Sequence, residues 1–138
     1  MLVKAFNSLQ KEGKDIRQKV FMEEQGFKNE FDDIDKTAVH MIAFENDKAV
    51  ATSRLYYSES RNCYVLGRIA VLKEFRGKDY GRAVVCGGEE YVKSHGFGTV
   101  ELSAQIKAKD FYKKLGYKEL NEITDDEGCP HVWMRKEL

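Results

Sequence analysis

The stretch VLKEFRGKDYGRAVV, from Val71 to Val85, runs from the end of an apolar segment through a charged turn into a helical pattern. Its glycines allow backbone N–H groups to approach a ligand closely. The first turn of the following helix has N–H groups without intrahelical acceptors, at the positive end of the helix dipole. Arg76, Lys78 and Arg82 add positive charge. The stretch therefore predicts a site for an anion such as a phosphate or pyrophosphate.

The chain has 138 residues and a formal net charge of +0. That length predicts a single domain, 1–138, with a core of its own. The zero net charge argues against a general nucleic-acid-binding protein, which normally has a basic excess. No apolar run approaches the roughly 18 residues of a membrane span, and the start, MLVKAFNSL, lacks the apolar region of a signal peptide. We therefore expect a cytoplasmic protein without a membrane or nucleic-acid partner.

Three cysteines, Cys63, Cys86 and Cys129, lie far apart in the sequence. No pair has the spacing of zinc ligands, and an odd number does not suggest a disulfide framework. We therefore expect no metal site and a reduced, cytoplasmic setting.

Charge is unevenly distributed along the chain. Between Glu23 and Asp35 acidic residues outnumber the single basic residue, Lys28, whereas basic residues predominate between Arg68 and Arg82. One interpretation is that these stretches are two solvated faces of the protein. The other is that the basic stretch binds an anionic cofactor and the acidic stretch a cationic substrate.

Hydrophobic periodicity predicts an alternation of strands and helices. A first strand covers Leu2–Phe6, and a helix that Ser8 could cap follows it. The segments on either side of Asn46–Asp47–Lys48 are typical of a hairpin, and the apolar run Tyr64–Leu72 is typical of a central strand covered on both faces. The remaining predicted elements are a helix over about Tyr80–Ser94, a strand over Thr99–Gln105, a short helix with Ala108, Phe111, Tyr112 and Leu115, and two final strands.

This order of elements predicts an α/β or α+β domain. We expect a mixed, mostly antiparallel sheet of about six or seven strands with about four flanking helices. Gly87 and Gly88 lie inside the long helix, where each costs about 1 kcal/mol relative to alanine. Close packing of this helix on the sheet would compensate that cost.

Six segments, in this order and spacing, resemble the GNAT superfamily of acyl-CoA N-acyltransferases, and within it the small bacterial ElaA-like branch. The resemblance covers nearly the whole chain. The segments are VFMEEQ (Val20–Gln25), EFDDID (Glu30–Asp35) with His40, GRIAVLKEFRGKDYGRAVV (Gly67–Val85), LSAQ (Leu102–Gln105), FYKKLGY (Phe111–Tyr117) and DEGCPHVWMRKEL (Asp126–Leu138).

The resemblance implies an N-acetyltransferase that moves an acetyl group from acetyl-CoA to a primary amine of a small molecule or peptide by direct attack. It implies that the backbone of Ile69, Ala70 and Val71 pairs with the pantetheine arm of coenzyme A. It also implies that N–H groups of the following loop cradle the pyrophosphate. The residues expected to bind the cofactor are Ile69, Ala70, Val71, Arg76, Gly77, Lys78, Asp79, Tyr80, Gly81, Arg82, Phe111 and Tyr112.

One residue departs from the family pattern. Asp79 stands where the superfamily loop usually has its middle glycine, and its carboxylate would lie near the expected pyrophosphate. Aspartate tolerates left-handed backbone conformations better than most residues. It could also act simply as a cap of the helix that follows.

Proton transfer needs an acid and a base. The resemblance implies that the Tyr112 hydroxyl protonates the leaving thiolate, although its helical spacing also fits a core aromatic residue. Candidates for the base are Glu24, which could instead be a solvated carboxylate, and His131, which could be a structural histidine. A third candidate, His40, alternates with apolar residues, so we expect a hydrogen-bonded core histidine there.

Other polar residues leave alternatives open. Arg68 lies in the apolar central strand, where a buried guanidinium needs a partner; it could pair with a carboxylate or bind an acidic group of the acceptor. Arg54 raises the same question. Cys129 lies near His131, but no third orienting group is evident, so we do not expect covalent catalysis.

Two other function classes remain at this point. One is a catalytically silent module that binds coenzyme A as a sensor, and the other is an interaction protein without a cofactor site. The acidic stretch hints at a cationic acceptor such as a polyamine, an aminosugar or a lysine side chain. The sequence does not specify the oligomeric state, although a homodimer formed through edge strands is common in such folds.

Overall fold

The computed structural model describes residues 2–138. Its strands and helices follow the predicted order along the chain. The strands are β1 (Leu2–Phe6), β2 (Val39–Glu45), β3 (Lys48–Ser58), β4 (Cys63–Val71), β5 (Thr99–Gln105), β6 (Lys118–Asp126) and β7 (Cys129–Glu137), and the α-helices are α1 (Lys11–Arg17), α2 (Tyr80–Ser94) and α3 (Lys109–Lys114).

All seven strands form one sheet in the order β1-β2-β3-β4-β5-β7-β6. Only the pairing of β4 with β5 is parallel among the strands of residues 2–138, and α2 is the crossover between them. The other pairings are antiparallel, which confirms the predicted mostly antiparallel sheet. Asn46 and Asp47 have φ values of 49° and 68°, as a tight hairpin turn between β2 and β3 requires.

The helices differ from the prediction in number and in one boundary. Residues 2–138 contain three α-helices rather than about four, because α1 continues directly into a π-helical segment, Gln18–Glu24. The residue before α1 is Gln10, and Ser8 does not cap the helix. The Ser8 hydroxyl instead accepts a hydrogen bond from Gln10 Nε2 at 2.9 Å. No helix in this part of the chain is long and apolar enough to cross a membrane.

The long helix packs closely on the sheet, as its two central glycines predict. A Cβ atom at Gly88 would lie 2.8 Å from Leu66 Cδ1, and one at Gly87 would lie 3.0 Å from Val3 Cγ1. Val84 and Val85 of the same helix are fully buried in the core. Gly88 therefore allows α2 to approach β4, the strand that borders the cleft described below, and Gly87 allows it to approach β1.

Candidate active site

A cleft of about 360 Å³ opens in the sheet where β4 and β5 diverge. The two strands pair over three residues, ending at Leu66–Leu102. Beyond that point Arg68 and Ile69 of β4 line one wall, and Gln105 of β5 lines the other. The volume lies in the range of small-molecule sites.

A β-bulge in β4 accompanies this divergence. Ser53 of β3 faces two residues of β4, Arg68 and Ile69. Arg68 has a φ of 51°, in the left-handed region that residues other than glycine rarely occupy. Beyond the bulge the β5 side of β4 has no strand partner among the described residues. An extended ligand could therefore add to this edge as a strand does.

The loop between β4 and α2 presents a run of free backbone donors. Among residues 2–138, no backbone carbonyl accepts from the N–H groups of 77–82, and the first hydrogen bond of α2 runs from Ala83 N–H to Asp79 O at 3.0 Å. Gly77 has a φ of 77°, which glycine adopts without strain. A Cβ at Gly81 would lie 3.3 Å from the Phe111 ring, so the loop contacts α3. This run of free N–H groups fits an anion.

Asp79 holds the backbone conformation that the sequence predicts but does not cap the helix. Its φ of 67° and ψ of 14° are left-handed, and its side chain makes no cap hydrogen bond. A capping side chain needs an extended backbone at this position to reach the N–H groups of the first turn. The interpretation of Asp79 as a cap is therefore wrong.

Arg76 is held by an ion pair. Its Nη1 and Nη2 donate to the two carboxylate oxygens of Glu24 at 2.6 and 2.8 Å, and its Nε donates to Val71 O at 3.1 Å. The hydrogen bond from Arg76 lowers the pKa of Glu24. Glu24, predicted as a candidate base, thus connects the π-helical segment to the loop and is a weaker base than a free carboxylate.

Tyr112 lines the cleft and also packs in the core. Its ring makes edge-to-face contacts with Phe111 and Tyr117, with ring centroids 5.0 and 6.1 Å away. The side chain is buried, and no hydrogen-bond partner of its hydroxyl is present among the described residues. Burial raises the pKa of Tyr112, so the hydroxyl keeps its proton. Both interpretations of this residue are therefore compatible.

The two candidate histidines are separated by the fold. His131 lines the cleft, and its Nδ1 lies 2.9 Å from the carbonyl oxygen, not the thiol, of Cys129. Because a carbonyl only accepts, Nδ1 carries the proton and Nε2 has a free lone pair. His40 is buried outside the cleft with Nε2 3.0 Å from Asp35 O, and burial lowers its pKa. The prediction of a hydrogen-bonded core histidine is confirmed.

Beside the cleft lies a network of three arginines and three carboxylates. Arg17, of which 1% is exposed, binds Glu30 at 2.9 Å and Asp35 at 2.7 Å. Arg54 and Arg68 complete the network. Arg54 Nη1 lies 2.7 Å from Asp32 Oδ1 and 3.2 Å from Asp35 Oδ1, while Arg68 Nε lies 2.9 Å from Glu30 Oε2 and Arg68 Nη2 lies 3.4 Å from Asp32 Oδ2.

This network corrects the interpretation of the acidic stretch. Glu30 and Asp35 are buried rather than solvated. Together with Asp32 they pair with arginines of the protein, so these three carboxylates are not free to bind a cationic substrate. Sequence reasoning missed Arg17 completely. An arginine flanked by Ile16 and four residues before Phe21 on an apolar helix face was the available signal, since such a position demands a partner.

Other cleft residues were also missed. Tyr56 and Trp133 line it, and Gln25 of the segment after the π-helix accepts a hydrogen bond from Gln105 Nε2 at 2.8 Å. Asp126 lines the rim. Among residues 2–138 no cluster of His, Cys, Asp and Glu side chains could hold a metal ion.

Comparisons with known proteins agree with this geometry. Residues 7–138 match the family model described as an acetyltransferase (GNAT) domain. The protein YyaT of Bacillus subtilis is 34% identical over 128 residues, which cover 89% of this chain and 85% of YyaT.

Two solved structures have the same fold. The crystal structure of Escherichia coli ElaA has a TM-score of 0.86 and 26% identity, covering 99% of both chains. An aminoglycoside 6'-N-acetyltransferase complexed with coenzyme A has a TM-score of 0.74, covering 99% of this chain and 97% of that one; at 16% identity it shows the fold alone. The chain therefore belongs to the GNAT family of acyl-CoA N-acyltransferases, in its ElaA-like branch.

Proposed function

We propose that this protein transfers an acetyl group from acetyl-CoA to a primary amine of a small molecule or peptide, by direct attack of the amine on the thioester. The observation that carries the proposal is the run of free N–H groups over 77–82, which directly follows the unpaired edge of β4. A pyrophosphate needs such donors, and an extended pantetheine arm needs such an edge.

The cofactor would lie along this edge and loop. The backbone of Ile69, Ala70 and Val71 would pair with the pantetheine arm. Lys78 and Arg82 add positive charge beside the N–H groups that would receive the pyrophosphate. The coenzyme A complex of an aminoglycoside acetyltransferase with this fold supports the assignment.

Val71 O already accepts from Arg76 Nε at 3.1 Å. That carbonyl would therefore be shared with the ligand, or Arg76 would move when the ligand binds.

The chemistry requires two proton transfers. The nitrogen lone pair of the neutral amine attacks the thioester carbonyl carbon; the C–N bond forms, and the C–S bond breaks with its electron pair leaving on sulfur. The Tyr112 hydroxyl donates its proton to that sulfur, giving free coenzyme A, and regains a proton from solvent. The surplus proton on nitrogen passes to His131 Nε2, directly or through water, which leaves a neutral amide, and His131 then releases that proton to solvent.

A base is also needed before the attack, because an ordinary alkylamine is almost entirely protonated and must first lose one proton to become the nucleophile. With a pKa near 10.4, only about one amine in two thousand is neutral at pH 7. We assign the base to His131 because its free Nε2 belongs to a residue that lines the cleft. Glu24 is the second candidate, since its pairing with Arg76 makes it the weaker base.

Thermal unfolding with acetyl-CoA, and with ADP as the control, tests the cofactor assignment. A ligand at about 100 times its Kd stabilises the fold by about 2.7 kcal/mol, which is several degrees in a domain of this size. We expect a larger shift with acetyl-CoA, because ADP lacks the pantetheine arm. Absence of a shift with either ligand would overturn the assignment.

Turnover is measured next, as thiol release with a panel of amines. We expect acetyl-CoA consumption that depends on the amine. Binding of acetyl-CoA without turnover on any amine would instead favour a coenzyme A sensor.

A further inference from the structure

Charged side chains of both signs line the cleft. Arg54 and Arg68, from β3 and β4, are two of them. Glu30, which pairs with Arg68, also lines the cleft. Asp126 of β6 and Lys107 line it as well, and the ion pairs among residues 2–138 include neither of these two side chains. Tyr56 and Trp133 supply apolar surface.

The guanidinium of Arg68 is only partly satisfied by the protein. Nε and Nη2 lie 3.2 and 3.1 Å from the carbonyl oxygen of Glu30, and the same two nitrogens meet the carboxylates of Glu30 and Asp32. Nη1 has no partner among the described residues. With 24% of its side chain exposed, Arg68 can donate from Nη1 into the cleft.

The backbone of Arg68 is arranged at a cost. Its φ of 51° lies in the left-handed region, which strains a non-glycine residue, although Gly67 directly precedes it and could hold such a conformation freely. Strain of this kind concentrates at ligand sites. Here the strained residue is one whose side chain lines the cleft, directly before Ile69 in the chain.

Arg54 reinforces the positive charge of Arg68. Its side chain is 5% exposed and shares Asp32 with Arg68, and its Nε is buried without a hydrogen-bond partner in the described residues. The positive charges of the three arginines and the negative charges of the three carboxylates cancel. The network as a whole therefore attracts neither anions nor cations from a distance. At the cleft surface, however, the donor without a partner is Nη1 of Arg68, which carries a positive charge.

A ligand that suits the open donor of Arg68 and the carboxylate of Asp126 carries both an anion and a cation. We infer that the acceptor is a zwitterionic amine of the amino-acid class, whose carboxylate is bound by Arg68 with Arg54 behind it, and whose ammonium group is first received near Asp126. This inference rests on the proposed acetyl transfer and names its acceptor class. Arg68 would thus determine specificity without taking part in proton transfer.

The test compares amino acids with the amines formed by removing their carboxylate, such as lysine with cadaverine and phenylalanine with phenethylamine. Binding to the protein loaded with coenzyme A is measured by calorimetry, so the result does not depend on turnover. A charge-assisted hydrogen bond is worth about a tenfold change in affinity or more. We expect the carboxylated member of at least one pair to bind at least about tenfold more tightly.

Two variants assign that preference to a residue. Arg68→Gln should bring the two members of the pair to nearly equal affinity, whereas Arg135→Gln, a matched change at an arginine of β7 that does not line the cleft, should keep the preference. Arg68→Lys serves if the glutamine variant fails to fold, and it should reduce the preference because lysine lacks the forked donors.

The inference is overturned if the carboxylate-free amines bind as well as the amino acids, if no amino acid binds, or if the preference survives in Arg68→Gln. Failure of the proposed function has a different signature. Selective binding of amino acids without acetyl transfer would contradict the proposed reaction and leave the binding site in place.

Discussion

Asp79 places a carboxylate and a strained backbone beside the run of N–H groups over 77–82. Its φ of 67° costs an L-residue roughly 1–2 kcal/mol in general and less for aspartate. The carboxylate neither caps α2 nor helps a site meant for an anion. Its effect on cofactor affinity can be separated from its effect on the backbone.

We expect Asp79→Asn to bind acetyl-CoA up to about fivefold more tightly in calorimetry at low salt, because removal of a nearby like charge is worth up to about 1 kcal/mol at an exposed site. The gain should shrink at high salt. Asp79→Gly should add up to about 1 kcal/mol to the free energy of unfolding, since glycine adopts the left-handed backbone freely. Unchanged affinity for acetyl-CoA in both variants would mean that the Asp79 carboxylate does not affect binding of the pyrophosphate.

Tyr112 and Tyr117 form a matched pair of buried tyrosines. Tyr112→Phe should lower kcat by about 10²- to 10⁴-fold, the usual contribution of a general acid, with little change in acetyl-CoA affinity or stability, because its hydroxyl has no protein partner. Tyr117→Phe should instead lower the stability and have little effect on kcat. Its hydroxyl donates to Glu89 at 2.8 Å, so its loss should cost about 1 kcal/mol of stability and leave kcat in place.

These two variants are measured together by steady-state thiol release and urea unfolding. Burial raises the pKa of Tyr112, so the acid should stay protonated throughout the neutral and mildly basic range. A kcat for Tyr112→Phe within twofold of the wild type would remove the tyrosine from the mechanism.

At the scale of the element, α2 and α1 differ in whether their packing on the sheet requires a glycine. A Cβ at Gly88 would lie 2.8 Å from Leu66 Cδ1, whereas a Cβ at Gly13 would meet Thr52 Oγ1 at an ordinary 3.5 Å. Leu66 is fully buried and has little room to move. The packing of α2 therefore requires a glycine at Gly88, whereas the packing of α1 does not require one at Gly13.

We therefore expect Gly88→Ala to destabilise the protein, since overpacking costs about 1–3 kcal/mol and the gain in helix propensity returns only about 1 kcal/mol. Gly13→Ala should stabilise it by up to about 1 kcal/mol. Urea unfolding measures both. If Leu66→Val restores most of the stability of Gly88→Ala, the contact with Leu66 is the cause; an equal effect of the two alanine substitutions would contradict this account.

At the scale of the whole molecule, Arg17 connects α1 to the segment before β2. Arg17→Met leaves Glu30 and Asp35 with only their second arginine partners, so we expect a loss of about 3 kcal/mol, the lower end for breaking a buried ion pair. Arg135 is 42% exposed, and its buried partner Glu101 keeps a second arginine, Arg61, so Arg135→Met should cost less than about 1 kcal/mol. Equal losses in urea unfolding would show that burial does not set the strength of these pairs.

The same network gives the stability a defined dependence on pH. Burial alone would raise the pKa of Asp35, but hydrogen bonds from Arg17 and from the Asp32 N–H outweigh it and bring the pKa from 3.8 to about 2. A lowered carboxyl pKa stabilises the fold above the unfolded value, and this contribution disappears as the pH falls from about 4 to about 2. Burial raises the pKa of Glu30, which acts in the opposite sense.

We therefore expect the difference in unfolding free energy between the wild type and Arg17→Met to shrink as the pH falls from about 4 to about 2. Urea unfolding across that range checks it. A difference that stays constant would mean that Arg17 does not lower the pKa of Asp35.

The sequence by itself determined the features that depend on neighbouring residues. Periodicity and turn chemistry predicted the order of strands and helices, the hairpin at Asn46 and Asp47, and the bounds of α2. The glycines of the loop from Gly77 to Gly81 predicted the run of free N–H groups, because a helix start and a positive φ are local properties.

The tertiary structure alone decided which distant side chains meet. Arg76 finds Glu24 across 52 residues and Arg17 finds Asp35 across 18. Such pairs arise from packing of the whole chain and leave no periodic signal, so neither interpretation of the acidic stretch, as a solvated face or as a cation site, included its ion pairs with arginines. Packing also brought His131 into the cleft and His40 into the core. A histidine that alternates with apolar residues has a local signature of burial, whereas a place in the cleft depends on how the strands diverge.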